Sequence, residues 1–198
     1  MAISYPLTLP TATGISGITI RAISKTALSK SPYTSRQQVY RYSGAMWEAE
    51  VRLPPMKRDA AEQWITFFLK LDGHYGTFLM GDPDATTRGT VNSMTVSGQA
   101  GSRTASVTLA SGKTFKAGDY FQLGSGSSAR LHKALTDVTG TGAGVDMEIW
   151  PMLRTTYVSS SAEYANPVGN WRLASNSSEW TTDEVSKYGL SFSCLEAL

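Results

Sequence analysis

Apolar and charged residues alternate most strictly over residues 47–53. Trp47, Ala49, Val51 and Leu53 are separated by Glu48, Glu50 and Arg52. Successive side chains of a β-strand point to opposite faces, so this pattern predicts a strand with one buried face and one solvated face.

Similar but weaker patterns predict more strands on both sides of this one. They cover residues 15–23, 38–42, 75–80 and 188–196. In the last of these segments, Leu190, Phe192 and Cys194 share one face. We expect this closing strand to return to the sheet formed by the early strands, which makes the first domain discontinuous.

One segment, residues 57–71, has the three- and four-residue spacing of an amphipathic helix. Asp59 near its start and Lys70 in its last turn suit the helix dipole, and Gly73 follows as a C′ residue. Lys57 is a poor N-cap, so the first helical residue is open by one or two positions. The apolar stripe consists of Ala60, Ala61, Trp64, Phe67, Phe68 and Leu71.

Two polar stretches are interpreted as irregular. Residues 24–36 separate the first two predicted strands and are interpreted as a loop or arm, which we expect to become ordered against a neighbouring subunit. The Ser-rich stretch that follows Tyr157-Val158 is interpreted as a loop.

The texture of the chain changes between residues 89 and 154. Short strand candidates at 91–96, 105–109, 119–123, 130–135 and 145–150 alternate with turns rich in Gly and Ser. This spacing without a helix is typical of a small barrel or sandwich. We therefore predict a small β domain at 89–154, inserted into a first domain formed by 1–88 and 155–198.

Composition narrows the class of protein. The chain has 198 residues, 17% of them charged, and a net charge of +2, which is too small to indicate nucleic acid as the main partner. A single cysteine excludes an intrachain disulfide. There is no apolar run of the roughly 20 residues that would span a bilayer, and no secretion signal, so we expect synthesis in a cytoplasm without membrane insertion.

Catalytic chemistry is hard to assemble from this sequence. Nucleophilic catalysis requires a Ser or Cys beside a base, but the histidines are His74, in a turn, and His132, in a strand candidate. We interpret both as hydrogen-bonded or solvent-facing, and Cys194 as a small buried hydrophobe. The carboxylates considered as glycosidase pairs are each explained by turns or solvated strand faces: Asp82, Asp84, Asp119, Asp137, Asp146 and Glu148.

Two glycine-rich segments, 124–126 and 140–144, lack the lysine and the following helix of a phosphate loop and are predicted to be hairpin turns. We therefore assign no catalytic, cofactor-binding or metal-binding residue, expect no cofactor, and predict that the chain is not an enzyme.

A resemblance to a known family rests on an ordered set of segments from about Pro10 to the C-terminus. The segments are Gln38-Val39-Tyr40, Gly44 to Trp47, Leu53-Pro54-Pro55-Met56, Ala61-Glu62-Gln63-Trp64, Tyr75-Gly76-Thr77-Phe78-Leu79-Met80-Gly81-Asp82-Pro83, Lys116-Ala117-Gly118-Asp119-Tyr120-Phe121-Gln122-Leu123 and Trp150-Pro151-Met152-Leu153-Arg154. Together they resemble the distal tail proteins of long-tailed bacteriophages and prophages.

This resemblance implies a mainly β fold: a tail-tube-like β-sandwich with one flanking helix and a second, inserted β-barrel or sandwich domain. It also implies a structural virion protein that forms a ring, commonly a hexamer, at the distal end of the tail. The implied partners are further copies of the chain, the tail tube protein, the hub or tip proteins and the tape-measure protein, with DNA only passing through the lumen. The family has no catalytic residues.

Two other readings stay open at this point. The inserted domain could present exposed aromatic residues to host glycans, which would make the chain a carbohydrate-binding module at the tail tip. An enzyme acting on the bacterial envelope is the third, although it lacks a recognisable constellation of carboxylates or histidines.

Overall fold

The computed structural model describes residues 3–182 and 187–198, so residues 1–2 and 183–186 of the predicted first domain lie outside the description. Within the described residues the chain is mainly β, with one α-helix, a closed six-stranded barrel and several further sheets. This confirms the predicted fold class.

The first part of the chain forms six strands and the helix. In chain order they are β1 (Leu7–Thr8), β2 (Gly17–Ile23), β3 (Thr26–Lys30), β4 (Gln37–Arg41), β5 (Met46–Arg52), α1 (Arg58–Leu71) and β6 (Phe78–Met80). The predicted helix is confirmed, with Lys57 at the N-cap position and no side-chain cap.

The remaining elements follow. They are β7 (Met94–Gly98), β8 (Thr104–Leu109), β9 (Thr114–Phe115), β10 (Tyr120–Leu123), a 3-10 turn (Gly126–Ser128), β11 (Arg130–Ala134), β12 (Val138–Thr139), β13 (Gly144–Trp150), β14 (Tyr157–Glu163), β15 (Gly169–Leu173), β16 (Trp180–Thr182) and β17 (Tyr188–Glu196).

Seven strands form what we call the main sheet, in the order β1-β6-β15-β17-β5-β2, with β16 pairing to β17. The closing strand β17 lies between β15 and β5, with Ser193 opposite Glu50. Leu190, Phe192 and Cys194 are buried on one face of it. The expected return of the C-terminal strand to the early sheet is confirmed.

Helix α1 covers one face of the main sheet with its aromatic stripe. Phe68 and Trp64 contact Phe192 of β17 at ring distances of 5.2 and 6.1 Å, and Phe67 contacts Phe78 of β6 at 5.6 Å. Each large side chain removed from water contributes about 1.5–3 kcal/mol, so this aromatic layer holds the helix to the sheet. The helix ends where Asp72 and then Gly73 adopt left-handed backbone, with φ of 49° and 62°.

Of the two alternatives for the polar segment 24–36, a loop or an arm, the loop is wrong. Strand β3 lies within it and pairs with β4 over five positions, from Thr26 opposite Arg41 to Lys30 opposite Gln37. We call this hairpin, residues 24–42, the arm. Every residue of both strands is exposed, which explains why no apolar periodicity marks β3.

The barrel is formed by β7, β8, β13, β11, β10 and β14, in that order around the wall. Its interior is filled by apolar side chains, of which Phe115, Phe121 and Met147 are among the largest that are fully buried. The sixth strand, β14, lies beyond the predicted boundary at 154. The Ser-rich stretch interpreted as a loop is part of this strand, where only Ala162 is buried, so that interpretation is also wrong.

The barrel and the main sheet touch through a shared layer of large side chains. The indole of Trp47 packs edge-on against Trp150 with ring centres 4.3 Å apart, and its Nε1 donates to the Leu131 carbonyl at 2.9 Å. The chain enters the barrel after β6 and leaves it before β15. These two connecting segments pass side by side at Gly81, where a Cβ atom would collide with the Pro167 carbonyl. Tyr120 and Leu131 of the barrel therefore belong to the main-sheet core.

No helix among the described residues is long and apolar enough to cross a bilayer.

Candidate interaction surface

The two histidines are held in structural hydrogen bonds. His74 is exposed, and its Nδ1 donates to the Leu173 carbonyl at 2.8 Å. His132 is fully buried, stacks on Phe121 and donates from Nδ1 to the Pro151 carbonyl at 2.9 Å. Burial lowers the pKa of His132 to about 4, so the ring is neutral at pH 7 and closed to substrate.

The lone cysteine is inert by the same reasoning. Cys194 is fully buried between the main sheet and α1, and burial raises the pKa of its thiol well above the usual range. A thiol that stays protonated is neither a nucleophile nor a metal ligand at neutral pH. Its expected place as a small buried hydrophobe is confirmed.

The carboxylates considered for catalysis lie at separate places and each has its own hydrogen-bond partners or solvent exposure. Asp119 is buried and receives hydrogen bonds from the backbone amide and Nε of Arg88, at 3.0 and 2.8 Å. Asp137 accepts from Lys116 Nζ at 3.0 Å and from the Ala117 amide at 2.8 Å, and these two donors lower its pKa, the amide more than the lysine.

The remaining acidic candidates lie on the surface. Asp82 accepts the Asp84 amide at 3.0 Å within a turn, and Asp146 and Glu148 lie on the exposed face of β13, as predicted. Over residues 3–182 and 187–198, no three His, Cys, Asp or Glu side chains come together in a way that could hold a metal ion.

The glycine-rich segments are turns. Residues 140–144 connect β12 to β13, and residues 124–126 lead from β10 into a 3-10 turn of three residues. Neither precedes an α-helix, so neither has the helix N-terminus that a phosphate loop needs.

The arm is the surface feature whose side chains do not pack against the body of the protein. Among the described strands, β3 and β4 pair with each other alone, so both outer edges of the arm keep backbone donors and acceptors that no described strand satisfies. Leu28 and Val39 lie directly opposite each other and are 62% and 63% exposed. Tyr40 on the other face is 50% exposed, and Tyr33 near the tip is 96% exposed.

All the charged residues of the arm are basic. The arm carries Lys25, Lys30, Arg36 and Arg41 and no acidic residue. Because the whole chain carries +2, the rest of the chain carries −2. The arm is thus complementary in charge to the remainder of its own molecule.

The base of the arm is held by hydrogen bonds, whereas its two strands are exposed along their whole length. The Tyr42 amide donates to the Lys25 carbonyl at 2.8 Å and closes the hairpin. Just beyond, Arg154 donates to the Ser43 carbonyl at 3.2 Å and to the Ala45 carbonyl, and pairs with Glu196 at 3.2 Å. Burial raises the pKa of Glu196 in spite of the favourable charge of Arg154.

Sequence reasoning does not find this anchor. The Glu196 side chain is only 2% exposed and continues the buried face of β17 after Phe192 and Cys194, so the alternation places a glutamate there but does not name its counter-charge. Its partner Arg154 is distant along the chain, so no local spacing could link them. Pairing of a buried charge is a tertiary event that pattern alone does not encode.

The exposed aromatic residues do not lie on the barrel. Among its described side chains, the large hydrophobic residues that are strongly exposed are Leu135 and Val158, and neither is aromatic. Sugar rings are usually bound by flat aromatic faces, and here such faces belong to the arm and to the main-sheet unit. Among the described residues of the barrel, Tyr157 of β14 is half-exposed and no aromatic side chain is strongly exposed.

Neither the scan against models of known protein families nor the search of curated proteins finds a match to this chain. A functional conclusion therefore depends on the chain's own residues and on what its sequence leads us to expect.

Proposed function

We propose that this chain is a structural virion protein of a long-tailed bacteriophage, located in the tail, which forms a ring at its distal end. The ring, a hexamer, joins the tail tube to the hub or tip proteins and leaves a channel through which DNA passes. The chain has no catalytic role in this proposal.

The observation that carries the proposal is the arm. A two-stranded hairpin is marginally stable in water by itself, and the strands of this one have no residue buried against the body of the protein. Exposed aliphatic and tyrosine side chains together with free strand edges are typical of a surface that binds another chain. A surface of this kind fits a protein that works as part of an assembly.

The geometry of the arm favours a ring over a two-fold dimer. The arm lies next to β2, at one edge of the main sheet, whereas β1 forms the opposite edge. If the arm of one copy binds the far side of the next, the contact is head-to-tail, and a head-to-tail contact with a suitable rotation closes into a ring. The resemblance to distal tail proteins points to the same arrangement.

Replacing the arm tests the proposal. Since Lys25 and Tyr42 are already hydrogen-bonded, residues 26–41 can be replaced by an Asn-Gly turn without moving the base. We expect this variant to fold, because the arm contributes nothing to either core, and to sediment as a monomer where the wild type forms rings.

A milder pair of variants serves as the matched control. Leu28→Thr with Val39→Thr removes two exposed aliphatic side chains from the arm and places β-branched residues, which favour strands, at both positions. Leu135→Thr with Val158→Thr removes two from the barrel surface. The first pair should weaken assembly and the second should not. Equal ring formation by the arm-replaced protein and the wild type would overturn the role of the arm.

A further inference from the structure

A recess lies at the base of the arm, between it and the barrel. Its larger part has a volume of about 280 Å³ and is lined by Arg41 of the arm, by Arg103 and Glu148 of the barrel, and by neutral residues. A smaller adjoining part, of about 60 Å³, adds Lys25 and again includes both arginines. We call Lys25, Arg41 and Arg103 the basic recess.

The cations of the basic recess have no ion-pair partner within the described part of the molecule. None of them forms an ion pair there, whereas seven other such pairs do form. Glu148 lines the recess but is bonded to neither arginine, so the recess keeps a net positive charge. Like charges held together without a counter-charge favour an anionic partner.

An acidic turn lies at the other side of the main sheet, with Asp82 half-buried and Asp84 exposed. Asp82-Pro83-Asp84 follows β6 after Gly81, and neither carboxylate is paired with a cation of the described chain. The turn has a defined shape, because Asp82 accepts the Asp84 amide through its side chain and the Ala85 amide through its carbonyl, both at 3.0 Å.

The acidic turn and the basic recess lie at the same end of the sheet. Phe78 of β6 is opposite Trp171, which is opposite Glu196. The next residue, Leu195, is opposite Glu48, and Glu48 is also opposite Arg21 of β2. All four pairings are antiparallel, so β6 and β2 run in the same direction. Asp82 and Lys25 each follow that level by a few residues. Four strand spacings of about 4.8 Å separate β6 from β2, so the two features are roughly 20 Å apart.

We propose that the basic recess of one copy binds the Asp82-Pro83-Asp84 turn of the next copy. Features of opposite charge, at one level and on opposite sides of the sheet, are what a head-to-tail contact between identical subunits requires. This inference rests on the proposed ring and identifies the residues that close it. The guanidinium groups of Arg41 and Arg103 would bind the two carboxylates, since an arginine presents a fork of donors to an anion.

Charge reversal in the 198-residue chain tests this contact. Arg41→Glu with Arg103→Glu should raise the concentration needed for half-assembly by at least about tenfold, because like charges would then meet. Asp82→Asn with Asp84→Lys should do the same, and the side-chain amide introduced by the first change keeps an oxygen that can accept the backbone amide two residues on. One chain that carries all four changes should recover assembly, since the charges are complementary again.

The matched control is Lys57→Glu with Lys113→Glu, which changes the net charge equally at sites outside the recess and should assemble like the wild type. Wild-type rings should also weaken as salt rises from about 50 to about 500 mM, because screening shortens the range of such contacts.

Each failure has a distinct meaning. If the wild type forms rings and the recess variant forms them equally well, the inference is wrong and the ring remains. If the recess variant is impaired but the four-fold change restores nothing, the acidic turn is not the partner. If the wild type forms no ring at any concentration, the proposed function itself fails.

Discussion

His132 is the residue on which burial has the clearest consequence. Its Nδ1 is bonded to Pro151, but its Nε2 is buried without a partner, so protonation would place an unsolvated charge inside the protein. This cost is why the pKa falls from 6.5 to about 4, a difference that corresponds to about 3 kcal/mol.

The pKa of His132 predicts an acid-sensitive fold. Between pH 6.5 and about 4 the unfolded chain binds a proton at this residue and the folded chain does not, so the free energy of unfolding falls as pH falls. His132→Asn keeps a donor near the Nδ1 position but cannot titrate. We expect urea denaturation between about pH 7.5 and pH 4.5 to show a smaller loss of stability in this variant than in the wild type.

His74→Asn removes the other imidazole, which lies at the surface, and provides the matched control. Glu196 has the opposite effect on the pH dependence. Because its pKa is raised in the folded chain, the free energy of unfolding falls as pH rises above the ordinary pKa of a glutamate. Glu196 is present in both the His132→Asn variant and the wild type, so the difference between their pH profiles reports His132 alone. An identical pH profile for His132→Asn would contradict this role of burial.

Among the elements, the ones that the sequence pattern predicts are those with one buried face. Strand β5 is clear because Trp47, Ala49 and Val51 are buried in the main-sheet core while the intervening charges face away from it. The helix is clear because its aromatic stripe is wide. In each case burial on one side only gives the sequence a period that can be recognised.

The elements that the pattern does not reveal lack that asymmetry. Strand β3 is exposed on both faces, and β14 buries only Ala162 of its seven residues, so neither alternates. For the same reason the barrel continues past the predicted boundary at 154. The polarity of the sequence locates the arm, which is the candidate interaction surface. Its hairpin cannot be predicted from the sequence, because no apolar alternation marks β3.

The joint between elements at Arg154 should be costly to break. Arg154→Ala would leave Glu196 buried without a counter-charge and would remove the donors bound to the Ser43 and Ala45 carbonyls. Removing one partner of a buried pair typically costs about 3–5 kcal/mol. We expect this loss in the free energy of unfolding measured with urea at pH 7.

Arg21→Ala is the comparison for that measurement. Arg21 pairs with Glu48 and Glu50 at 3.2 and 3.0 Å, but its side chain is 46% exposed. Exposed pairs contribute about 0–1 kcal/mol, so this change should be small. Similar losses for the two variants would mean that Arg154 does not fix the base of the arm.

At the scale of the whole molecule, the distribution of charge and apolar surface is uneven. The body buries two cores joined at Trp47, while the arm carries four positive charges and several exposed apolar side chains. A single copy leaves this surface uncovered. Head-to-tail closure would cover the arm in every copy and leave no exposed arm in the complete ring.

The most direct test is negative-stain microscopy of the purified wild-type protein, combined with native mass measurement, over a concentration series. We predict closed rings with an open centre and a mass of six chains, with a population that rises as concentration increases. A protein that stays monomeric at every concentration would contradict self-assembly into a ring.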